Sequence, residues 1–452
     1  MIKSILKFFL TICLIILCLS FGVLSRVKPF NADAVKLNIK VLSSGNFKGR
    51  LAGTPENEEA AYYIKNQFMN NNLMPYDTDY FQSFKVNYPK RISGKPYLKI
   101  IDKNGETLKD YIYGKDYRED ALCFRRNRFI CTKDSIISSG ENTLIIGNAA
   151  EKFVLYTANS GSIDFRSSYM YSSPYDMYII VTKDTLNEIK GFIDKGYSVV
   201  CFIPFMTGNA SVYNVTAYIE GKNPFSAPVV ICAHFDHMGC DAGGNIFYGA
   251  LDNASGTAFI IEMSKYIKSL GKPEKNIIFA AFNAEEYGFM GSEAFVDKYK
   301  NYLKDAKVFN FDMVGSDASL LNIAGSKNDT SKSALINSVC SECSRLHIPF
   351  NYIFENSSDH QSFREKQIAA VTFIDNDLQR IHTTKDTAEY ISTNAIKRCF
   401  RIASEEIIRY SYNDNPLYSN YKDLLLISSM GVLLFSIVYI KTISKSISSK
   451  RM

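Results

Sequence analysis

Two kinds of hydrophobic pattern divide the middle of the chain. From about residue 211 to 410, strand-like runs alternate with helix-like segments. The runs at 229–233, 276–282 and 369–374 are almost wholly apolar, and 307–311 is a further strand-like run. Such strands are buried on both faces, which is typical of a largely parallel sheet covered by helices. This region therefore predicts a three-layer α/β domain with a mostly parallel central sheet.

The preceding stretch, 78–210, has short β-rich runs separated by Gly, Asn and Ser. Before it, residues 34–73 form two amphipathic helical patterns, the second with Ala61, Ile64 and Phe68 on one face. Helical patterning thus stands on both sides of the β-rich stretch. We expect residues 26–77 and 211–412 to form one domain, with 78–210 inserted as a smaller β-rich domain.

The two ends of the chain are apolar. Residues 8–25 and 424–440 are uncharged runs of 18 and 17 residues. At about 1.5 Å per helical residue, each nearly covers a hydrocarbon core of about 30 Å. We expect one transmembrane helix near each terminus, with 413–423 as a linker and 441–452 as a basic cytoplasmic tail.

Charge predicts the orientation of these helices. The segments 1–25 and 441–452 hold six basic residues and no acid: Lys3, Lys7, Lys441, Lys445, Lys450 and Arg451. Positive charge favours the cytoplasmic side, so both tails are expected there and the body outside the cell membrane. Residues 1–25 also fit a cleaved signal peptide, and either interpretation, anchor or signal, exports the body.

Composition excludes two classes of protein. Hydrophobic residues make up 46% of the chain and charged residues 22%, which is incompatible with wholesale disorder. The net charge is +6, and without the six basic residues of the tails 46 basic residues face 46 acidic ones. A neutral body lacks the positive field that nucleic-acid binding needs, so no nucleic acid partner is expected.

Polar motifs follow the predicted buried strands or open the next helix. These are AHFDH (233–237), LDNASG (251–256), NAEEYG (283–288), NFDMVG (310–315) and IHTTKDT (381–387). Because ligands of an open α/β sheet gather at the carboxyl ends of the strands, these segments are expected to meet at one edge. The metal-ligand candidates that they supply are His234, Asp252, Glu286, Asp312 and His382.

Two imidazoles and three carboxylates suit zinc or another divalent ion. Five ligands exceed what one tetrahedral ion with an open position needs. If Asp252 is shared, His234 and Asp312 complete one ion, while Glu286 and His382 complete the other. The residue types therefore predict two zinc ions per chain.

Three further acids have predicted roles near these ligands. Glu285 precedes Glu286, and neighbours in an extended or turning chain point different ways, so its free carboxylate can move a proton between water and the leaving amine. Asp236 is expected to accept the imidazole N–H of His234, and Asp386 to do the same near His382.

The motifs quoted above, with SSDHQSF (357–363) and GRLAGTPENEEAAYYI (49–64), resemble those of the co-catalytic di-zinc aminopeptidases. That group also includes aminopeptidase Y and the glutamate carboxypeptidase and transferrin receptor branch. The resemblance implies a zinc exopeptidase domain, the same five zinc ligands, and Glu285 as the catalytic base. It also implies that 78–210 is similar to a protease-associated domain and that Asp359 and His360 line the substrate side. His237 is interpreted either as a residue at the rim of the site or as a polar group with ordinary hydrogen bonds, and the second is expected.

The combined expectation is a membrane-anchored extracellular zinc exopeptidase that removes N-terminal residues from peptides. Its partners are then a peptide substrate and the membrane, with oligomeric state left open. Two alternatives keep the fold: a non-catalytic receptor or scaffold, and another enzyme, either an aminoacyl cyclase or a carboxypeptidase. A carboxypeptidase needs basic residues for the substrate carboxylate, and Arg364 and Arg380 are the candidates.

Overall fold

The computed structural model describes residues 2–158 and 162–448; Lys450 and Arg451 of the predicted basic tail lie outside them. The helices are α1 (Ile2–Leu24), α2 (Ala32–Leu42), α3 (Pro55–Asn70), α4 (Lys183–Asp194), α5 (Gly256–Leu270), α6 (Met290–Leu303), α7 (Ala334–Arg345), α8 (His360–Glu365), α9 (Thr393–Ser411), α10 (Pro416–Ser419) and α11 (Tyr421–Ser448). The strands are β1 (Met74–Pro75), β2 (Phe81–Arg91), β3 (Tyr97–Ile101), β4 (Thr107–Asp110), β5 (Tyr117–Phe124), β6 (Arg128–Cys131), β7 (Ile136–Ser139), β8 (Thr143–Gly147), β9 (Lys152–Tyr156), β10 (Met177–Val181), β11 (Ser198–Phe202), β12 (Phe205–Ile219), β13 (Val229–His234), β14 (Ile277–Phe282), β15 (Lys307–Asp312), β16 (Leu321–Gly325), β17 (Phe350–Phe354) and β18 (Ala369–Asp375).

The central sheet is mixed. Its strand order is β1-β12-β14-β13-β15-β18-β16-β17, and β2 also pairs with β12. The four strands β14, β13, β15 and β18 run parallel to one another, as do β16 and β17. The remaining pairings, β12 with β1, β2 and β14, and β16 with β18, are antiparallel. The prediction of a mostly parallel sheet therefore describes only the centre, because β12 enters from an antiparallel ribbon.

Helices cover this sheet on both faces. Alternate residues of its strands point to opposite sides, so Ile231 and Phe279 pack into one core with α2, α3, α5, α7 and α9. Their neighbours Cys232 and Ile278 pack into a second core with α6 and α8. The predicted three layers are thus present, and the parallel strands end together at one edge.

The β-rich stretch packs around a separate core. It contains a five-stranded sheet, β5-β10-β9-β8-β7, and a four-stranded sheet, β4-β3-β11-β6. Buried side chains such as Leu98, Phe153 and Ile179 form its interior. The ribbon of β2 and β12 joins it to the central sheet, and β12 runs without a break across the predicted boundary at 210/211.

The two terminal helices, α1 and α11, pack side by side in opposite directions. Phe9 stacks on Phe435, and a Cβ added at Gly431 would lie 2.6 Å from Cys13 Sγ. By length and composition alone, both helices are apolar enough to cross a membrane. The predicted linker 413–423 contains α10 and the start of α11.

Candidate metal centre

The parallel strands deliver the polar motifs to their shared carboxyl edge. Two of the predicted ligands end strands, one lies before α5, one lies in the turn after β14 and one follows β18. In that order they are His234 and Asp312, Asp252, Glu286, and His382. All five side chains are buried, and they meet at the carboxyl edge of the parallel strands.

The five side chains form two groups that share one carboxylate. In the first group, His234 Nε2 lies 3.4 Å from Asp252 Oδ1 and 3.3 Å from Asp312 Oδ1. In the second, His382 Nε2 lies 3.1 Å from Asp252 Oδ2 and 3.2 Å from Glu286 Oε2. The two oxygens of Asp252 therefore face different groups, as the sharing predicted from the sequence requires.

These spacings fit metal ions. Zinc binds nitrogen and carboxylate oxygen at about 2.0–2.2 Å in tetrahedral geometry, which leaves its ligand atoms about 3.3 Å apart. The four distances above lie close to that value. The set also gathers several buried carboxylates, whose mutual repulsion a divalent cation would relieve.

Glu285 and Glu286 are neighbours whose carboxyl pKa values are shifted in opposite directions. Burial raises the pKa of Glu285 well above the usual carboxyl value, and the carboxylates of Glu286 and Asp312 add to that rise. Burial also acts on Glu286, but the imidazoles of His382 and His237 outweigh it and lower its pKa to about 2. One carboxyl group is thus poised to take a proton while the other stays ionised.

Asp236 contacts the Glu285–Glu286 turn more closely than it contacts His234. Its two oxygens accept hydrogen bonds from the amides of Glu285 and Glu286 at 3.1 and 3.3 Å. Its distance to His234 Nδ1 is 3.6 Å, which is too long for a hydrogen bond. The predicted partner is therefore corrected: Asp236 fixes the backbone of the turn that holds both glutamates.

Asp386 also has a different partner from the predicted one. It accepts hydrogen bonds from the amides of Leu251 and Asp252 at 2.8 and 3.0 Å, and so holds the shared carboxylate's own backbone. The Nδ1 atom of His382 lies instead 3.0 Å from the carbonyl oxygen of Arg166. Since a carbonyl only accepts, Nδ1 carries the proton and leaves the Nε2 lone pair facing the group.

Asp359 and His360 do not line the substrate side. Both are buried at the start of α8, and His360 contacts Thr372 Oγ1 at 2.8 Å and the Glu355 carbonyl at 2.9 Å. Neither borders the cavity at the metal centre. The motif SSDHQSF contributes a different residue, Ser358, whose hydroxyl donates to Asp312 Oδ2 at 2.7 Å.

His237 is closer to the centre than the sequence predicts. Its ring is fully buried, and Nδ1 lies 3.2 Å from Glu286 Oε1 and 3.7 Å from Asp252 Oδ2. Its Nε2 has no hydrogen-bond partner among the described residues. The signal in the sequence was the spacing of His237 three residues after His234, directly after a buried strand.

A cavity of about 710 Å³ opens onto the centre. Glu285 lies on its wall with Oε2 4.0 Å from His234 Nε2, and Glu355 adds a further carboxylate. Apolar side chains such as Ile353 and Leu378 form other parts of the wall. Ser168 and Tyr169 of the β-rich stretch border the same cavity, a contribution that no sequence motif indicates.

Comparisons with known proteins agree with this picture. Residues 214–407 match the model of peptidase family M28. Aminopeptidase YwaD of Bacillus subtilis is 31% identical over 208 residues, which cover 42% of this chain and 43% of that protein. Leupeptin-inactivating enzyme 1 of Streptomyces exfoliatus is 31% identical over 138 residues, 30% of each chain. The matched parts span less than half the length of these relatives.

Among solved structures, BSAP, a zinc aminopeptidase from Bacillus subtilis, has a TM-score of 0.62 at 20% identity. The alignment covers 86% of this chain and 98% of that one, and at this identity it bears on the fold alone. The predicted family resemblance is confirmed by the match at 214–407. This similarity to peptidase family M28 covers less than half of the chain.

Proposed function

We propose that this chain is a membrane-anchored extracellular zinc aminopeptidase that hydrolyses N-terminal residues of peptides. The observation that carries the proposal is the cavity itself, where five buried ligand candidates and Glu285 converge on one side of an open cleft. The similarity to aminopeptidase YwaD supports the reaction class.

Two zinc ions per chain fit the two groups. His234 and Asp312 would hold one ion, Glu286 and His382 the other, and Asp252 both. When bound, the ions supply Lewis-acid polarisation of the scissile carbonyl and activation of a water molecule. His237 faces the second group, where its Nδ1 is within hydrogen-bond distance of Glu286.

Glu285 then acts as the general base and acid. Its raised pKa and its position on the cavity wall suit a carboxylate that takes a proton from the attacking water and returns it to the leaving amine. Asp236 supports this role, because its hydrogen bonds to the turn hold the Glu285 backbone in place.

The charge of the cavity favours an aminopeptidase over a carboxypeptidase. Its walls carry the extra carboxylate of Glu355, and no Lys or Arg is among the lining residues in the described part of the chain. The two arginines considered for a substrate carboxylate are engaged elsewhere: Arg364 pairs with Asp329 at 2.7 Å, and Arg380 pairs with Asp377. An acidic wall suits a cationic α-amine.

Membrane anchoring is proposed for α1 and α11. Many large apolar side chains of these helices are exposed to solvent, such as Phe8 and Leu433, at 62% and 65%. A bilayer would remove that apolar surface from water. With the basic ends on the cytoplasmic side, both termini lie inside and the peptidase domain outside, unless residues 1–25 are cleaved.

The same proposal includes the domain division. Residues 26–77 and 211–412 form the zinc peptidase domain, and 78–210 an inserted domain similar to a protease-associated domain. The separate core of the β-rich stretch supports this division. The unbroken β12 argues for placing the boundary within the β2–β12 ribbon, which both parts share.

A substrate panel tests the function. The full chain, purified in detergent and loaded with zinc, is given aminoacyl p-nitroanilides, their N-acetyl forms, and peptides with free or amidated C-termini. Hydrolysis that requires a free N-terminus is expected. Cleavage that requires a free C-terminus would indicate a carboxypeptidase, and two bound zinc ions without any hydrolysis would indicate a receptor or scaffold.

A further inference from the structure

The β-rich stretch reaches the metal centre through one short segment, residues 165–169. The backbone of Arg166 makes two contacts with His382: its carbonyl oxygen lies 3.0 Å from Nδ1, and its amide donates to the His382 carbonyl at 3.0 Å. The ring of Phe165 stacks on the His382 imidazole, with ring centroids 5.4 Å apart and planes at 22°. The orientation of His382 is thus set by a part of the chain more than 200 residues away.

The same segment holds Glu286. The hydroxyl of Ser168 donates to Glu286 Oε2 at 3.1 Å, and the amide of Tyr169 donates to the Glu286 carbonyl at 3.1 Å. Oε2 is also the oxygen that lies 3.2 Å from His382 Nε2. A carboxylate oxygen has two lone pairs, so one can serve Ser168 while the other stays available to an ion.

Strand β5 fixes the segment from behind. Arg118 donates to the Phe165 carbonyl at 2.7 Å, and Asp120 accepts from the amide and the hydroxyl of Ser167 at 2.6 and 2.8 Å. All three contacts belong to the β-rich stretch. The segment therefore connects the core of that stretch with one half of the metal centre.

The other half has its own supports. Asp312 accepts a hydrogen bond from Ser358, and the backbone carbonyl of His234 accepts one from Thr257. Both donors belong to the peptidase fold. The hydrogen bonds and the ring stacking described for 165–169 involve Glu286 and His382, and none of them involves His234 or Asp312.

We propose that residues 165–169 position Glu286 and His382 for one of the two zinc ions, so that the β-rich stretch controls the occupancy of that position alone. This inference rests on the proposed function. Ser168 and Arg166 are positioning residues: they act on the ligands without themselves facing the ion.

Zinc affinity, measured by competition with a chromogenic chelator and by zinc content after dialysis, tests the inference in the full-length chain. Ser168→Ala is expected to lower the affinity for one of the two zinc ions by about 10- to 100-fold and to leave the affinity for the other unchanged. Ser168→Thr keeps the hydroxyl and is expected to restore both affinities.

Three controls identify the position. Ser172→Ala is a matched change in the same loop. Ser172 borders the cavity, but the hydrogen bonds described above for Glu286 and His382 come from Ser168 and Arg166, so both zinc affinities are expected to stay unchanged. Ser358→Ala removes the donor to Asp312 and is expected to weaken the other ion. In a His382→Ala background, which lacks the affected ion, adding Ser168→Ala is expected to change nothing further.

The outcomes separate this inference from the proposed function. Wild-type protein that binds fewer than two zinc ions contradicts the proposed binuclear site. Wild-type protein with two ions, together with unchanged affinities in Ser168→Ala or an equal loss at both positions, overturns the positioning role. Failure of Ser168→Thr to restore the affinity also overturns it.

Discussion

The peptidase fold and the β-rich stretch bury their residues differently. Strands β13 and β14 are buried at every position, whereas β3 and β8 alternate between buried and less buried positions. Strands of the first kind end at a common edge and carry the acid and imidazole side chains there. Strands of the second kind form small sheets around their own core, and, among the described residues, their stretch borders the metal centre through the segment that connects β9 with β10.

This difference separates two ways of contributing to a site. In the peptidase fold, a ligand candidate is placed by the strand that precedes it. Its place at the edge of the sheet can therefore be predicted from its position along the sequence. In the β-rich stretch, Ser168 and the Arg166 carbonyl are placed by tertiary contacts with β5. Metal removal and single substitutions can measure how far the two regions depend on each other.

Removal of the metal should abolish hydrolysis by the peptidase fold and leave the fold of the β-rich stretch intact. Treatment with a chelator is expected to lower hydrolysis by more than about 10³-fold, because water activation and carbonyl polarisation are lost. Zinc added back should restore it. Among the described residues, the candidate metal groups lie only in the peptidase fold. Hydrogen exchange of β8 and β9 should therefore not change, and activity that survives chelation would contradict the proposal.

Glu285→Gln should separate chemistry from metal binding within the peptidase fold. Loss of the proton-accepting carboxylate is expected to lower kcat by about 10²- to 10⁴-fold. Zinc content should stay at two ions, because the predicted ligands are untouched. Glu293→Gln, in the exposed first turn of α6, is the matched control and should have wild-type kcat. An active Glu285→Gln enzyme would remove the assigned base.

Leu155→Ala and Phe279→Ala compare the two cores directly. Both side chains are almost completely buried, and each cavity is expected to cost about 2–5 kcal/mol of unfolding free energy. Hydrogen exchange should report the loss in the β-rich stretch for Leu155→Ala and in the central sheet for Phe279→Ala. Leu155→Ala should also lower the zinc affinity at the position formed by Glu286 and His382, and not at the other position.

Leu108→Ala is the control for this pair, since Leu108 lies on β4 and is 48% exposed. Its expected cost is below about 0.5 kcal/mol. If Leu155→Ala weakened both zinc positions equally, the two halves of the centre would not have separate supports.

Asp386→Asn should cause the smallest loss in this series, and it should lower the zinc affinity at both positions rather than at one. Asp386 accepts from the amides of Leu251 and Asp252, so its replacement disturbs the shared carboxylate. An amide oxygen can keep one of the two bonds, and we expect about a tenfold loss of zinc affinity. Because Asp252 faces both groups, both ions should weaken. A loss at one ion only would contradict the sharing of Asp252.

The sequence predicts the parts of this molecule that depend on local order. His234 and Asp312 are predictable because each ends a strand-like run, and parallel strands end at a common edge of the sheet. The terminal apolar helices are also predictable, because length and composition are local properties of the sequence.

Contacts between distant segments are not predictable in this way. The sequence pairs Asp236 and Asp386 with imidazoles that lie close to them along the chain, but both carboxylates bind backbone amides that the fold brings closer. Asp359 and His360 are predicted on the substrate side, yet the fold packs them into the interior. Ser168 had no motif, because its role depends on how the β-rich stretch folds back onto the turn after β14.

The uninterrupted course of β12 limits how the cleft can open. Its first part pairs with β2 in the ribbon, and its last part pairs with β14, the strand that leads directly into the Glu285–Glu286 turn. Bending at that junction would break consecutive ladder bonds rather than rotate a loop. Opening of the cleft should therefore depend on side chains at its rim and on short loops. The peptidase fold and the β-rich stretch should move little relative to each other as rigid bodies.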